Sequence, residues 1–362
     1  MAATTSRTRT FAASNISVSQ RGALRLIVVG LTVALVTMIA IVYVAPFTYM
    51  LTTSFKSAEQ LTDTSMFLPQ TQETIQYQGQ ALPLYYVPVD GQTKKLALLK
   101  SKRSSTDFVD PANLSADPIN LPVRAAALQR VTNFDPQPNV YSTAVDEQHL
   151  NFPRALSNTL AVTLISALGA VTSAALVAYG FSRFRIPGVN ILFMILMATI
   201  ILPPQVTLIP TFIFFQKIGW TGTLLPLIVP HFFANAYNVF LLRQYFVGIP
   251  REMDEAATVD GAGPFQTFMW IIVPQARMAL VTVVLFHFLV IWGEFQNALI
   301  YTAGSPAAQP LSVALQRFTQ LYSTQPNQMM AGAVLTMLIP LIVFFLAQKQ
   351  FMQGIVISGV EK

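Results

Sequence analysis

The sequence predicts an all-α polytopic membrane protein: six transmembrane helices, a patterned cytoplasmic loop and a small β-rich extracytoplasmic insertion. Three observations carry that prediction. First, 53% of the 362 residues are apolar and only 10% charged, with a positive mean hydropathy, against roughly 25% charged in a soluble domain. Second, six stretches are almost free of formal charge: 26–55, 155–182, 186–216, 218–242, 278–293 continuing past Glu294, and 318–348. Each reaches or approaches the roughly 20 residues that a helix rising about 1.5 Å per residue needs to cross hydrocarbon. Lipid offers no hydrogen-bond partner, so these segments satisfy their backbone internally, as helices. Third, with the N-terminus inside, the short cytoplasmic segments hold Arg7, Arg9, Arg21, Arg25, Arg183, Arg185, Arg243, Arg251, Arg277, Lys349 and Lys362, against only Lys217 and Arg317 outside. Long loops obey the positive-inside rule poorly, so 57–154 stays out of the count, and both termini fall in the cytoplasm. The net charge of +6 is explained by these topology-setting cations beside anionic lipid, without a nucleic-acid partner.

Residues 1–20, rich in Ser and Thr, read as a cytoplasmic tail. The first transmembrane helix lies within 21–56; its apolar run is too long for a secretory signal and lacks a small-residue cleavage site, so it stays as an anchor. Segment 57–154 differs in kind, holding 10 of the 16 acidic residues and many Pro, Gln and Asn. TIQYQ, ALPLYYVPV and KKLALLKS alternate like strands, with a tight turn at Asp90 and Gly91. The Asp-Pro and Leu-Pro pairs that follow favour extended or turn structure. This water-facing insertion is either a spacer or a surface that meets another protein.

The five-helix core spans 155–350, with helices expected at 155–181, 190–209, 223–246, 278–300 and 328–350, and a cytoplasmic tail over 351–362. SALGAVTSAALVAYG in the first of these allows close helix packing. Pro203, Pro204 and Pro210 break the second, and TFIFFQKIGWTG reads as an interfacial segment with Lys217 and Trp220 at headgroup level. Pro226 and Pro230 interrupt the third. Prolines at membrane depth leave carbonyls that neighbours or water must satisfy, which points to a cavity or gate.

Several chemistries are excluded. The chain has no cysteine, no Gly-Lys pair and hence no phosphate-binding P-loop, no H-E-x-x-H and no G-x-S-x-G. His149, His231 and His287 lack metal-ligand spacing. No catalytic or metal-binding residue is expected. In the helix at 278–300, His287 and Glu294 lie seven apart and so share a face; an intramembrane carboxylate costs about 2.5–3.5 kcal/mol unless paired or wetted. One reading is a proton relay in a secondary transporter. The other is that Glu294, three residues before Asn297, satisfies backbone groups or lines a watery cavity, which makes Glu294, Asn297 and His287 candidates for a translocation path.

The connection at 247–277 is long but patterned. Pro250 opens a helix with Glu252, Asp254 and Glu255 in its first turns, Gly261 stops it, Pro264 opens a second and Pro274 limits that one. Residues 251–260 carry a net charge of −3 on the side where cations predominate. EAATVDGAGPFQTFMWIIVP resembles the EAA loop of ABC importer permeases, E-A-A, two residues, D-G-A, then an apolar helix. PFTYMLTTSFKS, NTLAVTLISALGAVTSAALVAYGFSRF, IILPPQVTLIPTF, FLLRQYFVGIPREMDEAA, IWGEFQNALI and QKQFMQGIVISGV extend the likeness to the carbohydrate subfamily, the maltose-type second permease subunit, outside about 70–130. Gly293 departs from it, standing where the WNEF phrase has Asn.

The resemblance implies a coupling helix that seats in a separate cytosolic ATPase. Its residues are Glu252, Glu255, Ala256, Ala257, Asp260, Gly261, Ala262 and Phe265: Ala256 and Ala257 for close approach, the glutamates for basic partners, and Phe265 with Phe268 and Ile272 to root the second helix. It also implies no cofactor on this chain, ATP with magnesium on the partner, a second homologous permease, two ATP-binding subunits, an extracytoplasmic solute-binding protein, a sugar or related solute as cargo, and residence in a prokaryotic inner membrane. A proton-coupled carrier using His287 and Glu294 is the rival.

Overall fold

The computed structural model describes residues 18–62, 67–89, 91–102, 104–146, 150–320 and 323–357. Residues 1–17 of the tail expected over 1–20, Asp90 of the expected turn, His149 and Lys362 lie outside them. The chain divides into two compact units, 1–51 and 52–362.

The first unit is most of helix α1 (Val18–Ser54). Leu26, Leu31, Met38 and Val42 show that its exposed surface is apolar over successive turns, the character of a helix whose solvent is lipid.

In the second unit the insertion folds as predicted, into strands. These are β1 (Gln70–Gln72), β2 (Thr74–Tyr77), β3 (Gln80–Val89), β4 (Gln92–Ser101), β5 (Thr106–Val109), β6 (Ile119–Leu121), β7 (Gln129–Arg130) and β8 (Thr132–Phe134). Strands β2 to β6 form an antiparallel meander, β7 adds to β3, and β1 pairs β8. Gly91 has φ +78°, and Gln78 and Gly79 are both left-handed at 47° and 80°, the backbone that two-residue hairpins require. Period-two alternation puts Leu82, Leu84, Ala97 and Val109 in one core and Val87, Leu96 and Phe108 in another, so both faces of the sheet are covered.

Beyond α2 (Asn139–Val145), helix α3 (Phe152–Arg183) is the spine of the unit. Ala170, Ala174 and Ala178 are buried on one stripe, and with so little side chain there α3 packs closely along α6 (Ala236–Val247) and α9 (Arg277–Trp292).

Helix α4 (Val189–Ala198) continues as a 3-10 turn to Ile201, and α5 (Pro204–Lys217) leaves it at 94°. The expected helix over 190–209 therefore breaks earlier than its last proline. Leu202, before Pro203, is pushed to ψ 120°, as the residue before proline is, and Pro204 starts the next helix. TFIFFQK is the body of α5, and Trp220 stacks on Phe215 at 5.6 Å. The helix expected at 223–246 is likewise interrupted, by a 3-10 turn at Val229–Phe232. Asn235 restarts it, its side chain accepting from the N–H groups of Tyr237 (2.9 Å) and Asn238 (3.3 Å). Asn235→Ala is expected to cost about 1 kcal/mol, measured as a lower melting temperature of the purified chain.

Helices α7 (Glu252–Val259) and α8 (Pro264–Thr267) form the loop. The helix expected at 278–300 is divided: α9 stops at Trp292 and α10 (Gln296–Tyr301) begins after Gly293, Glu294 and Phe295. The last helix, α11 (Pro326–Ile357), runs into the expected tail over 351–362. Four helices among the described residues are long and apolar enough to cross a membrane, and two bent pairs, 189–217 and 264–292, bring the number to six.

Candidate functional site

The loop is built from its backbone outward. Acidic side chains occupy the first turn of α7, where the helix dipole favours them. Its end is a glycine stop: Gly261 N–H donates to Thr258 O (3.1 Å) and Ala262 N–H to Ala257 O (2.9 Å), with Gly261 at φ +82°. This pair of bonds is the Schellman arrangement, which needs a left-handed residue at that place. Gln266 Oε1 accepts from Gly263 N–H at 2.8 Å and so opens α8. The chain then passes through a π-helical turn, Phe268–Ile272, before a 77° bend into α9.

The loop is rooted in the helices. Phe268 and Ile272 are buried with Tyr179, Val239, Leu242 and Phe246 in one core. Tyr179 Oη donates to Pro264 O (3.1 Å), and Tyr245 Oη to Gln275 O (3.1 Å). Arg183, its side chain 6% exposed, pairs through Nε with Asp254 Oδ2 at 3.1 Å and donates from Nη2 to Ile249 O at 2.9 Å. One side chain thus holds both the helix and the segment that enters it. The sequence reading placed Asp254 only in the dipole field and counted Arg183 only as a topology cation. Their pairing joins residues 71 apart, which local pattern does not reveal.

The expected loop residues divide by face. Glu252, Glu255, Ala256, Asp260 and Gly261 are exposed, Ala262 is half-buried, and Ala257 is buried at 4%. Only Ala256 of the alanine pair is therefore open to close approach. Val259, at 87% exposed, is its apolar neighbour on the outer side. Phe265 is 67% exposed and does not root the second helix as Phe268 and Ile272 do. It sits one residue after Pro264, before the turn in which α8 enters the core.

The translocation candidates gather elsewhere, around a cavity of about 250 Å³ whose polar lining is Thr159, Thr211, His231, Glu294, Asn297 and Tyr301. Glu294 lies in the break between α9 and α10, so it does not stack two turns above His287 on one helix. Its Oε1 accepts from Asn297 N–H at 2.9 Å, capping α10, and its carbonyl accepts from Ser312 Oγ at 2.8 Å. That is the backbone-satisfying role, combined with a place in the cavity wall. His287 lies behind the wall, its ring 4.8 Å from that of His231 and its Nε2 3.3 Å from Ser166 Oγ. Thr211 Oγ1 and Tyr301 Oη are 3.0 Å apart. His231, Thr159, Thr211 and Tyr301 were not predicted; the signal available was the proline pair that breaks the helix beside His231. Among the described residues no cluster has metal-binding composition.

Residues 170–356 match the family model described as binding-protein-dependent transport system inner membrane component. The permease protein GgtD for uptake of osmoprotective compounds in Synechocystis sp. is 30% identical over 208 residues, 57% of this chain and 70% of that protein. The sn-glycerol-3-phosphate transport system permease protein UgpE of Yersinia pestis is 31% identical over 227 residues, 61% and 78% of the two chains. The crystal structure of a bacterial ABC transporter that imports the acidic polysaccharide alginate contains a chain matching with a TM-score of 0.61 at 20% identity, over 94% of this chain and 99% of that one.

Proposed function

We propose a mechanism from one premise: the chain belongs to the family of binding-protein-dependent transport system inner membrane components and is a membrane-spanning permease subunit of an ABC importer. It is a multi-pass inner-membrane protein whose work requires an ATPase and a binding protein. In our reading α7 lies in the cytosol, as do both termini, with the basic residues beside it setting that orientation. Its exposed face of Glu252, Glu255, Ala256 and Val259 seats in the cleft of a separate ATPase. Two such ATPases, a second homologous permease and an extracytoplasmic solute-binding protein complete the assembly. ATP and magnesium belong to the ATPases, since this chain has no phosphate-binding motif.

The observation that carries this reading is the contrast between the two faces of the loop: acidic and open outside, buried and tied to α3 inside. A protein without its own ATP site responds to ATP only through contacts that differ between the states of its partner. An element held to α3 by Arg183 and Tyr179, and to α6 by Tyr245, transfers a displacement of α7 to the ends of both helices. The cavity at Glu294 and Asn297 then belongs to the translocation path. Hydroxyl, amide and carboxylate groups on an otherwise apolar wall suit a polyhydroxylated solute, and the sn-glycerol-3-phosphate relative supports a sugar or sugar-like cargo.

Gly261→Val and Glu255→Lys test the coupling. The valine costs about 1–2 kcal/mol in left-handed backbone and tilts α7 against α8; the lysine reverses charge on the seating face. Both are expected to leave the subunit in the membrane while abolishing uptake or releasing the ATPase on purification. Undiminished transport by both would overturn the assignment.

A further inference from the structure

We propose that the loop-bearing end of the helices holds a binding site for the phosphate group of an anionic phospholipid. A second cavity, of about 640 Å³, opens there between the end of α3, the 184–189 connection and α6, and four arginines line it: Arg183, Arg185, Arg243 and Arg251. Asp254, on Arg183, is the one carboxylate in ion-pair contact with any of the four among the described residues. Arg251 spends one Nη2 hydrogen bond on Ser182 O at 3.4 Å. Arg243 lies with its guanidinium 4.2 Å from the Phe193 ring centre, and its buried Nε has no hydrogen-bond acceptor among the described residues. Three cations around one concavity repel each other until an anion joins them, and guanidinium forks match phosphate oxygens bidentately.

The setting selects a lipid over a free phosphate ion. Arg183 ends one membrane-spanning helix and Val189 begins the next, so the cavity lies where chain leaves and re-enters the bilayer, at headgroup depth. Its rim carries exposed Phe184, Ile186 and Val247, which offer contact to acyl chains and nothing to inorganic phosphate. Basic pockets between helices on the side where cations predominate are a recognised setting for acidic headgroups. Because Arg183 and Arg251 also hold the loop, a bound headgroup would complete the charge balance at the root of α7. The proposal stands whether or not α7 contacts an ATPase.

Native mass spectrometry of the full chain, purified in detergent with equal phosphatidylglycerol and phosphatidylcholine, tests it. The wild type is expected to retain phosphatidylglycerol preferentially. Arg185→Gln with Arg243→Gln should reduce that preference about 30-fold, the effect of two cations at an anionic surface. The corresponding double lysine variant, which keeps the charge without the fork, should lose less than the glutamine variant, and Arg277→Gln, an exposed cation outside the cavity, should keep the preference. An unchanged preference in the glutamine variant overturns the proposal, as does an equal loss in Arg277→Gln, which would mean a diffuse field. Displacement of the lipid by millimolar inorganic phosphate overturns the assignment to lipid. If the double variant fails to fold, Arg185→Gln alone, at an exposed position, gives the same readout at about one-fifth the reduction.

Discussion

Arg183→Ala is expected to unseat α7 and to cost about 3 kcal/mol of stability, because removing one partner of a buried ion pair strands the other. The arginine side chain is 6% exposed and that of Asp254 23%, so the orphaned carboxylate would keep little of its hydration. The loss also frees Ile249 O, which accepts from the same guanidinium. Arg183→Lys should recover only part of the loss, since an ammonium cannot span both acceptors as a planar fork does. Replacing both partners, Arg183→Met with Asp254→Leu, should restore most of the stability, as apolar substitutes for buried pairs often do. The restored chain should still transport poorly, because packing replaces the link without its direction. Melting of the three purified variants beside the wild type, together with ATP-driven uptake in vesicles, checks both statements. Equal melting of Arg183→Ala and the wild type would mean that the pair contributes nothing to the loop.

The sequence made the periodic features legible and left the tertiary ones obscure. Strands β3 and β4 were readable because alternation and a glycine turn are local, and the stop at Gly261 was readable because a helix end has a local chemistry. The break at Leu202 falls where Pro203 and Pro204 were read to put it, but Pro210, read as a further break, sits inside α5: a proline can begin a helix or sit inside one, and only packing decides. The division of helix 278–300 at Gly293 was hidden because Glu294, Gln296 and Asn297 read as polar residues of one continuous helix rather than as a break in it. Within the loop, composition could not say which alanine faced inward. Ala257 is buried and Ala256 exposed because the buried Phe268 and Ile272, far along the chain, fix the rotation of the hairpin. His231 was weighed only as a metal ligand, and its place at the cavity was missed for a similar reason: the 3-10 turn that carries it is set by its contacts with α3.

Those contacts make Gly169 the second position where a small change should have a large effect. A Cβ added there would lie 2.6, 2.7 and 2.8 Å from three ring atoms of Phe232, closer than carbon atoms approach one another. Phe232 closes the 3-10 turn that carries His231, and Ser173 Oγ donates to His231 O at 3.4 Å from the next turn of α3. Turning the ring about its own axis gives no relief, because Cγ is among the three atoms, so either the side chain swings about χ1 or the turn itself moves. Gly169→Ala is therefore expected to cost about 2–3 kcal/mol as overpacking, and to displace His231 from the cavity wall. Phe232→Ala in the same chain takes away all three atoms and should return part of the stability. If the cavity is the translocation path, the single variant should lose uptake while its ATPase remains bound, since α7 and its ties to Arg183 and Tyr245 lie in another part of the helix bundle. Loss of ATPase binding in Gly169→Ala would show instead that the turn and the loop move together. Melting temperature and co-purification of the ATPase distinguish the two outcomes, because overpacking lowers the first in either case and only a shared movement lowers the second.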